Sequence, residues 1–255
     1  MKNSIEAINL SKSYKLKQAV NSINFKINEN EIVGLLGPNG SGKTTLLLAT
    51  LGILKAQYGS VSIYGQLPMS RGLNGKIGWV SQAAANLPKE IRLTVRELVR
   101  LGTLNSKNLF WGDGSGRESI DKAIKMVGLE DVQHTDIARL SGGQRQRAVI
   151  ARALASNADF ILLDEPLVGI DRDSRNSLLK LLDSLCHNEG KTILMISHDL
   201  TAIRQTAHRM IYLEESIRFD GPSEDFPDLD KLADLRGIEP VHKHDETHHD
   251  HSKEE

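Results

Sequence analysis

Residues 31–44 read EIVGLLGPNGSGKT, and this stretch decides the fold of the 255-residue chain. The apolar run from Ile32 to Leu36 is typical of a buried strand in a parallel sheet. The residues after it fit the pattern G-x-x-x-x-G-K-[ST], in which backbone amides converge on a phosphate group. The leucine-rich residues from Thr45 to Leu54 predict a helix, whose N-terminus adds partial positive charge at the same point. Strand, loop and helix together therefore predict a phosphate-binding loop.

Every residue of this loop is a candidate ligand of a nucleotide. Lys43 is expected to reach the β- and γ-phosphates, and the Thr44 hydroxyl is expected to ligate Mg²⁺. A glycine-rich turn that binds nothing is the alternative, but the flanking strand and helix disfavour it. The candidate ligands in this segment are Gly37, Pro38, Asn39, Gly40, Ser41, Gly42, Lys43, Thr44 and Thr45.

A second apolar run, from Phe160 to Leu163, ends in two adjacent carboxylates. A P-loop NTPase holds its metal with an acidic residue at the end of another buried strand, and Asp164 fits that position, directly or through water. Two carboxylates beside a polyphosphate repel each other unless a cation and a chemical task justify them. We therefore predict that Glu165 is the base that polarises the attacking water. A solvent-exposed acidic turn is the alternative, which the apolar run disfavours.

Strands and helices alternate along most of the chain, which predicts a mainly parallel sheet with helices packed on it. Residues 5–10 and 23–27 alternate apolar and polar side chains, as the half-buried strands of an antiparallel N-terminal part do. The predicted fold class is therefore α/β, of the P-loop NTPase kind. Further helices are predicted at residues 119–127, 141–155, 173–186 and 200–207, and further strands at residues 61–64, 76–80, 192–196 and 210–213. The Gly- and Ser-rich residues 105–117 are predicted to form an exposed connection.

The composition is that of an ordinary folded protein that is not a dedicated nucleic-acid binder. Lys and Arg number 32 against 33 Asp and Glu, for a formal net charge of −1, whereas nucleic-acid binders are usually basic. No apolar run reaches the roughly 18 residues of a membrane span, so any pore is expected to be another polypeptide. The single cysteine, Cys186, cannot form an internal disulfide, which favours a reducing cytoplasm.

Residues 140–147 read LSGGQRQR and resemble the signature of ATP-binding cassette (ABC) ATPases. They lie between the phosphate-binding loop and the Asp164–Glu165 pair, in the order found in that family. The resemblance implies ATP and Mg²⁺ as cofactors and Lys43, Glu165 and His198 as catalytic residues, with His198 contacting the γ-phosphate. It implies further nucleotide ligands in Tyr14, Gln82, Ser141, Gly142, Gly143, Gln144 and Asp171, and a Mg²⁺ shell of Thr44, Gln82 and Asp164. Leu167 departs from the family pattern, where a small polar residue is common, but it lies outside the metal shell.

The same resemblance implies an arrangement of domains and partners. Residues 1–222 are expected to form the ATPase domain, with a helical signature lobe inserted at about 84–156 and an extension at 223–255. Two copies would close head-to-tail over two ATP molecules, with transmembrane permease subunits as partners, at the cytoplasmic face of the cell membrane. The permease would dock on a groove formed by apolar side chains. The alternative is that these side chains pack inside the helical lobe. The side chains in question are Trp79, Leu87, Pro88, Ile91, Leu93 and Leu104. A soluble ABC ATPase of an assembly system, of the iron–sulfur type, is the alternative function.

The substrate is indicated by the final residues 242–255, which contain no apolar side chain and predict a disordered tail. Imidazoles and carboxylates in such a tract suit Zn²⁺ or Mn²⁺, although a solubilising tail is the alternative. Residues 164–171 and 217–222 also resemble the ATPases of zinc and manganese importers, which implies metal import with an extracytoplasmic metal-binding protein as an indirect partner. A transporter of a non-metal substrate remains the alternative. The candidate metal ligands of the tail are His242, His244, His248, His249 and His251.

Overall fold

The strand that begins the phosphate-binding loop lies inside a six-stranded sheet. All five residues of β3 (Ile32–Leu36) are buried, as expected for a strand covered on both faces. The computed structural model describes residues 3–14, 17–85, 92–104 and 115–227. The sheet order is β5-β6-β7-β3-β8-β9, and only the β8–β9 pair is antiparallel. The other strands are β5 (Ile77–Val80), β6 (Phe160–Asp164), β7 (Thr192–Ile196), β8 (Arg209–Glu214) and β9 (Ser216–Pro222).

The N-terminal part forms a separate antiparallel sheet of three strands, in the order β2-β1-β4. Its strands are β1 (Asn3–Tyr14), β2 (Lys17–Asn28) and β4 (Tyr58–Ile63). One face of this sheet packs on the parallel sheet, because alternate residues such as Ile5, Ala7 and Val61 are buried. The predicted fold class, a parallel core with an antiparallel N-terminal part, is confirmed.

Helices lie on both faces of the parallel sheet. The helix α1 (Lys43–Thr50) packs on the same face as the N-terminal sheet. The other face is covered by α2 (Val95–Arg100), α3 (Ser115–Met126), α4 (Gly142–Ala155), α5 (Arg172–His187) and α6 (Leu200–Thr206). Capping boxes begin two of them, because the Thr94 side chain accepts from the Glu97 amide and the Ser141 side chain accepts from the Gln144 amide. The helices α2, α3 and α4 share one apolar cluster.

The strand β6 shows how the two faces of the core sheet are filled. Ile161 and Leu163 belong to the apolar cluster formed with the helices, whereas Phe160 and Leu162 belong to the cluster formed with the N-terminal sheet and α1. Successive side chains of a strand point to opposite faces, so a run of four apolar residues serves two layers. The sheet is thereby fixed between them, and the ends of its strands have defined positions.

Several predicted boundaries are wrong by a few residues. The helix α1 ends at Thr50, not Leu54. The strand β2 begins at Lys17, well before the predicted residue 23, and β9 was not predicted. Residues 115–117 belong to α3, so they are not part of an exposed connection, while residues 105–114 lie outside the described residues. In the described part of the chain, no helix combines the length and apolar character needed to cross a membrane.

Candidate functional site

The loop between β3 and α1 has a backbone that only glycine permits at two positions. Gly37 and Gly42 have φ angles of 151° and 97°. A Cβ on Gly42 would overlap the Ala19 carbonyl oxygen, and one on Gly37 would overlap the Leu213 carbonyl oxygen. At these two positions the chain therefore approaches its neighbours too closely for any side chain.

Lys43 folds back over this loop. Its Nζ donates to the carbonyl oxygens of Gly37 at 2.7 Å and Pro38 at 2.9 Å. Burial lowers the pKa of Lys43, while the charges of Glu165 and Asp164 act to raise it. The Ser41 hydroxyl oxygen is buried without a hydrogen-bond partner among the described residues. Both side chains thus leave polar groups for a ligand to engage.

Asp164 ends the strand β6, next to the strand β7 and close in the sheet to β3. Burial raises the pKa of its carboxyl group, the charge of Glu165 raises it further, and the charge of Lys43 opposes both effects. A carboxylate in this position is unfavourable until a cation compensates it. The oxygen ligands offered by Asp164 and the Thr44 hydroxyl are of the kind that Mg²⁺ prefers.

Glu165 is held in place by its backbone and by His198. Its φ angle is +52°, a left-handed conformation that is rare for glutamate, and its amide donates to the Ile196 carbonyl at 2.8 Å. Its Oε2 lies 2.8 Å from Nδ1 of His198. The Glu165 side chain is 13% exposed and that of His198 is 65% exposed, so the histidine is accessible while the carboxylate is enclosed.

These residues surround one cleft with a volume of about 380 Å³. The structure therefore brings together most of the residues that the sequence predicts for one nucleotide. The cleft is lined by Tyr14, Ala19, Asn39, Gly40, Gly42, Lys43, Thr44, Thr45, Gln82, Asp164, Glu165 and Ile196. His198 is not among the lining residues but contacts one of them, Glu165. Gly37, Pro38 and Ser41 belong to the same loop and do not line the cleft.

Two lining residues were missed by the sequence reasoning. Ile196 ends β7, the strand beside β3, and its position at the carboxyl end of a neighbouring strand is a signal that could have found it. Ala19 lies in β2, and its carbonyl faces Gly42. An alanine within a strand carries no signal of this kind, so only the fold identifies it.

The signature segment lies elsewhere, because none of its residues lines the cleft. Ser141 caps α4, and a Cβ on Gly143 would overlap the Ser174 side chain. Asp171 caps α5, with its Oδ1 accepting from the Ser174 amide at 2.9 Å. The beginnings of α4 and α5 therefore pack together. The residues predicted to bind nucleotide that do not line the cleft of the same chain are Ser141, Gly142, Gly143, Gln144 and Asp171.

The remaining predicted residues have mixed outcomes. Two residues of the predicted permease groove, Trp79 and Leu93, are partly buried, each against one of the two apolar clusters, as expected if they are internal packing. Leu104, from the same predicted groove, is exposed. Leu87, Pro88 and Ile91 lie outside the described residues, as do the five histidines of residues 242–255. Within the ranges that the structure describes, no group of three or more His, Cys, Asp or Glu side chains could hold a metal ion.

Comparison with known proteins gives consistent matches along the chain. Residues 20–168 match the ABC transporter family. The zinc uptake system ATP-binding protein ZurA of Listeria monocytogenes is 39% identical over 243 residues, which cover 92% of this chain and 95% of ZurA. The manganese transport system ATP-binding protein MntB of Halalkalibacterium halodurans is 34% identical, over 87% of each chain.

A solved structure shares the fold at a similar level of identity. The ATP-binding cassette MJ0796, in a dimeric structure bound to ADP and Pi, is 30% identical with a TM-score of 0.69. The match covers 87% of this chain and 100% of the MJ0796 chain. Members of this family hydrolyse ATP to power transport. The motifs, the fold and these matches agree: this chain belongs to the ABC transporter family, as one of its ATP-binding, ATP-hydrolysing subunits.

Proposed function

We propose that this chain is the motor of a divalent metal importer and that Glu165 is the general base of its ATPase reaction. The observation that carries the assignment of the base is the 2.8 Å contact between Glu165 Oε2 and His198 Nδ1 at the edge of the cleft. An enclosed carboxylate held by a histidine can orient and polarise a water molecule. His198, which is more exposed, then contacts the γ-phosphate of a bound ATP.

The loop residues bind the phosphates and the metal. Lys43 exchanges its two carbonyl partners for the β- and γ-phosphates, and the loop amides supply further donors. Thr44, Asp164 and Gln82, which all line the cleft, would hold Mg²⁺. Bound Mg²⁺ neutralises phosphate charge, and the positions of these oxygen ligands support this role. Tyr14, which lines the cleft and is exposed, would stack on the adenine.

Lys43→Ala tests the binding role directly. The variant loses the positive charge that the phosphates require, so we expect a large loss of ATP affinity in a calorimetric titration with Mg²⁺ present. Lys191→Ala is the matched control, because Lys191 pairs with Asp159 at the opposite end of β6. Unchanged nucleotide affinity in Lys43→Ala would contradict the assignment of the loop.

Two copies of this chain are proposed to close head-to-tail over two ATP molecules. The signature residues Ser141 to Gln144 and Asp171 lie apart from the chain's own cleft, and this supports a role at the cleft of a second copy. Ser141 caps the N-terminus of α4, and the partial positive charge of a helix N-terminus can meet a γ-phosphate.

The proposal also includes a permease as partner and a metal ion as the transported substrate. Transmembrane permease subunits would bind the motor at the cytoplasmic face of the membrane, and an extracytoplasmic metal-binding protein would deliver the ion to them. ZurA is a zinc uptake protein and MntB a manganese transport protein, and these similarities support a divalent metal substrate. The domain boundaries, 1–222 with the helical lobe at about 84–156 and the extension at 223–255, belong to the same proposal.

Co-purification from detergent-solubilised membranes tests the partner class. We expect a permease to copurify with the tagged chain, and we expect deletion of its gene or of this gene to reduce uptake of ⁶⁵Zn²⁺ or ⁵⁴Mn²⁺. Recovery of a soluble assembly complex with unchanged metal uptake would favour the iron–sulfur alternative. A permease with unchanged metal uptake would favour a non-metal substrate.

The histidine-rich residues 242–255 are proposed to bind Zn²⁺ or Mn²⁺ and to adjust ATPase activity to the metal level. Five histidines are interleaved with three carboxylates within residues 242–251, a composition that suits these ions. We expect the full chain to respond to micromolar Zn²⁺ in an ATPase assay and a chain deleted of residues 242–255 to lose that response. A control that replaces only those five histidines with asparagine should behave like the deletion. Equal responses in all three proteins would contradict the proposal.

A further inference from the structure

Asp199 follows His198 directly and is fixed by three contacts. Its amide donates to the Ser197 hydroxyl at 3.1 Å, and its Oδ1 accepts from the Ala202 amide at 3.0 Å, which caps α6. Its Oδ2 accepts from Nη1 of Arg175 at 2.6 Å. Ser197 is buried, so the segment that presents His198 is anchored in the interior of the protein.

Arg175 lies in the first turn of α5, the turn that Asp171 caps. The Arg175 amide donates to the Asp171 carbonyl at 2.9 Å, and the Ser174 amide donates to the Asp171 side chain. Ser174 also lies against Gly143, where no side chain fits. One helical turn therefore contacts the start of the signature helix on one side and the residue beside His198 on the other.

The ion pair between Arg175 and Asp199 is not explained by a contribution to folding stability alone. The two side chains are 39% and 24% exposed, and pairs of this kind contribute little to folding. The Nε of the same guanidinium is buried without a hydrogen-bond partner among the described residues, which is unfavourable. What the pair does provide is a short, charge-assisted hydrogen bond that links two segments far apart in sequence.

We propose that Arg175 is a positioning residue: through Asp199 it orients His198, and it links this histidine to the turn that carries Asp171. The inference rests on the proposed function, in which His198 contacts the chain's own ATP and Asp171 faces the second copy. Closure of the dimer against Asp171 then adjusts the γ-phosphate contact in the same subunit, because Arg175 transmits the shift of α5 to Asp199. The chain of contacts runs Gly143, Ser174, Asp171, Arg175 and Asp199.

A double-mutant cycle on steady-state ATP hydrolysis tests this link. Asp199→Asn removes the charge that Arg175 meets but keeps a side chain that caps α6 well, and Arg175→Gln removes the other partner. A misplaced histidine lowers turnover more than binding, so we expect each variant to lose about tenfold in kcat with little change in KM for ATP. The double variant should lose no more than either single one, whereas Arg175→Lys should recover part of the loss.

Asp121→Asn is the matched control, because Asp121 pairs with Arg96 Nη1 at the same 2.6 Å distance in the helical part of the chain. Its kcat should equal that of the wild type. Wild-type kcat in Arg175→Gln, multiplied losses in the double variant, or an equal loss in Asp121→Asn would each overturn the inference. If Arg175→Gln does not fold, as judged by its melting transition, Asp199→Asn with and without Arg175→Lys provides the same comparison. Absent hydrolysis by the wild-type chain, or wild-type hydrolysis by Glu165→Gln, would instead refute the proposed function.

Discussion

At the residue scale, Glu165 and Asp164 differ in environment although they are neighbours in sequence. The left-handed backbone of Glu165 turns its carboxylate toward His198, while Asp164 still belongs to β6 and lies in the cleft. Strained backbone conformations of this kind persist where the surrounding structure requires them, often at functional sites. One β-strand end thus supplies two carboxylates in two different environments, and we propose a different task for each.

Glu165→Gln should retain ATP binding but reduce turnover to background. Glutamine keeps the shape of the side chain and loses the basic oxygen, so the water is no longer polarised. The measurement is steady-state phosphate release with Mg²⁺ and saturating ATP. Glu130→Gln, an exposed carboxylate in the helical part, is the control and should be fully active. Hydrolysis by Glu165→Gln at the wild-type rate would refute the assignment of the base.

Asp164→Asn should stabilise the nucleotide-free protein while abolishing Mg²⁺-dependent hydrolysis. The pKa of Asp164 is raised in the folded state, so its ionised form destabilises the fold above its usual titration range, and this effect disappears as the pH falls through the raised pKa. We therefore expect a higher melting temperature for Asp164→Asn at pH 7 and a smaller difference at acidic pH. Asp159→Asn, at the solvent-exposed start of β6, should show no such gain. A lower melting temperature for Asp164→Asn at pH 7 would contradict this view of the site.

At the element scale, the contact between the starts of α4 and α5 depends on a missing side chain. The first turn of α5 occupies the space that a Cβ on Gly143 would need. Ser141 and Asp171, the caps of these two helices, are also the residues proposed to act on the second copy. The positions of the two helix ends therefore determine where Ser141 and Asp171 lie on the protein surface.

Gly143→Ala should disturb this contact and lower ATPase activity. Added volume in a packed contact costs about 1–3 kcal/mol of folding free energy and displaces the helix start. Removal of the opposing side chain in Gly143→Ala with Ser174→Gly should restore part of the activity. Gly116→Ala, in α3, would bring a methyl group to 3.3 Å from the Thr103 hydroxyl, which needs a much smaller adjustment than the overlap at Gly143, and it serves as the control. The measurements are the ATPase activity and the chemical-denaturation midpoint of the wild type, the two single variants and the double variant. Values for Gly143→Ala that equal those of the wild type would show that the contact is not tight.

At the scale of the whole molecule, the described chain continues past β9 and packs back on the core. Phe226 is 2% exposed, its ring is 5.1 Å from that of Phe219 in an edge-to-face arrangement, and its carbonyl accepts from Arg204 at 2.8 Å. Arg204 belongs to α6, the helix that Asp199 caps. The segment after Pro222 therefore supports the helix that follows His198.

Deletions on either side of Phe226 should have different effects. Removal of residues 228–255 keeps the aromatic cluster, so we expect little change in the melting temperature. Removal of residues 223–255 also removes Phe226, and the loss of a buried phenylalanine costs about 3–5 kcal/mol. Phe226→Ala in the full chain should reproduce that loss. Equal melting temperatures for the two deletions would mean that the packing of Phe226 contributes nothing.

Much of this molecule could be predicted from local sequence. The loop at residues 37–44 and the pair at 164–165 follow buried apolar strands, and parallel strands end at the same edge of a sheet, so their proximity was predictable. Ala19 and the pair of Arg175 with Asp199 were not, because they depend on packing between segments far apart in sequence. The strand β9 was missed because its partly exposed edge position leaves only a weak apolar pattern.

We propose that two copies of this chain enclose ATP and that Glu165 is the general base of its hydrolysis. The most direct test is the mass of Glu165→Gln in solution, measured by light scattering with and without Mg²⁺–ATP. We predict a monomer without nucleotide and a stable dimer of twice that mass with ATP, which ADP does not produce. If Glu165→Gln binds ATP at full occupancy and its mass remains that of a monomer, the proposed ATP-bound dimer is refuted.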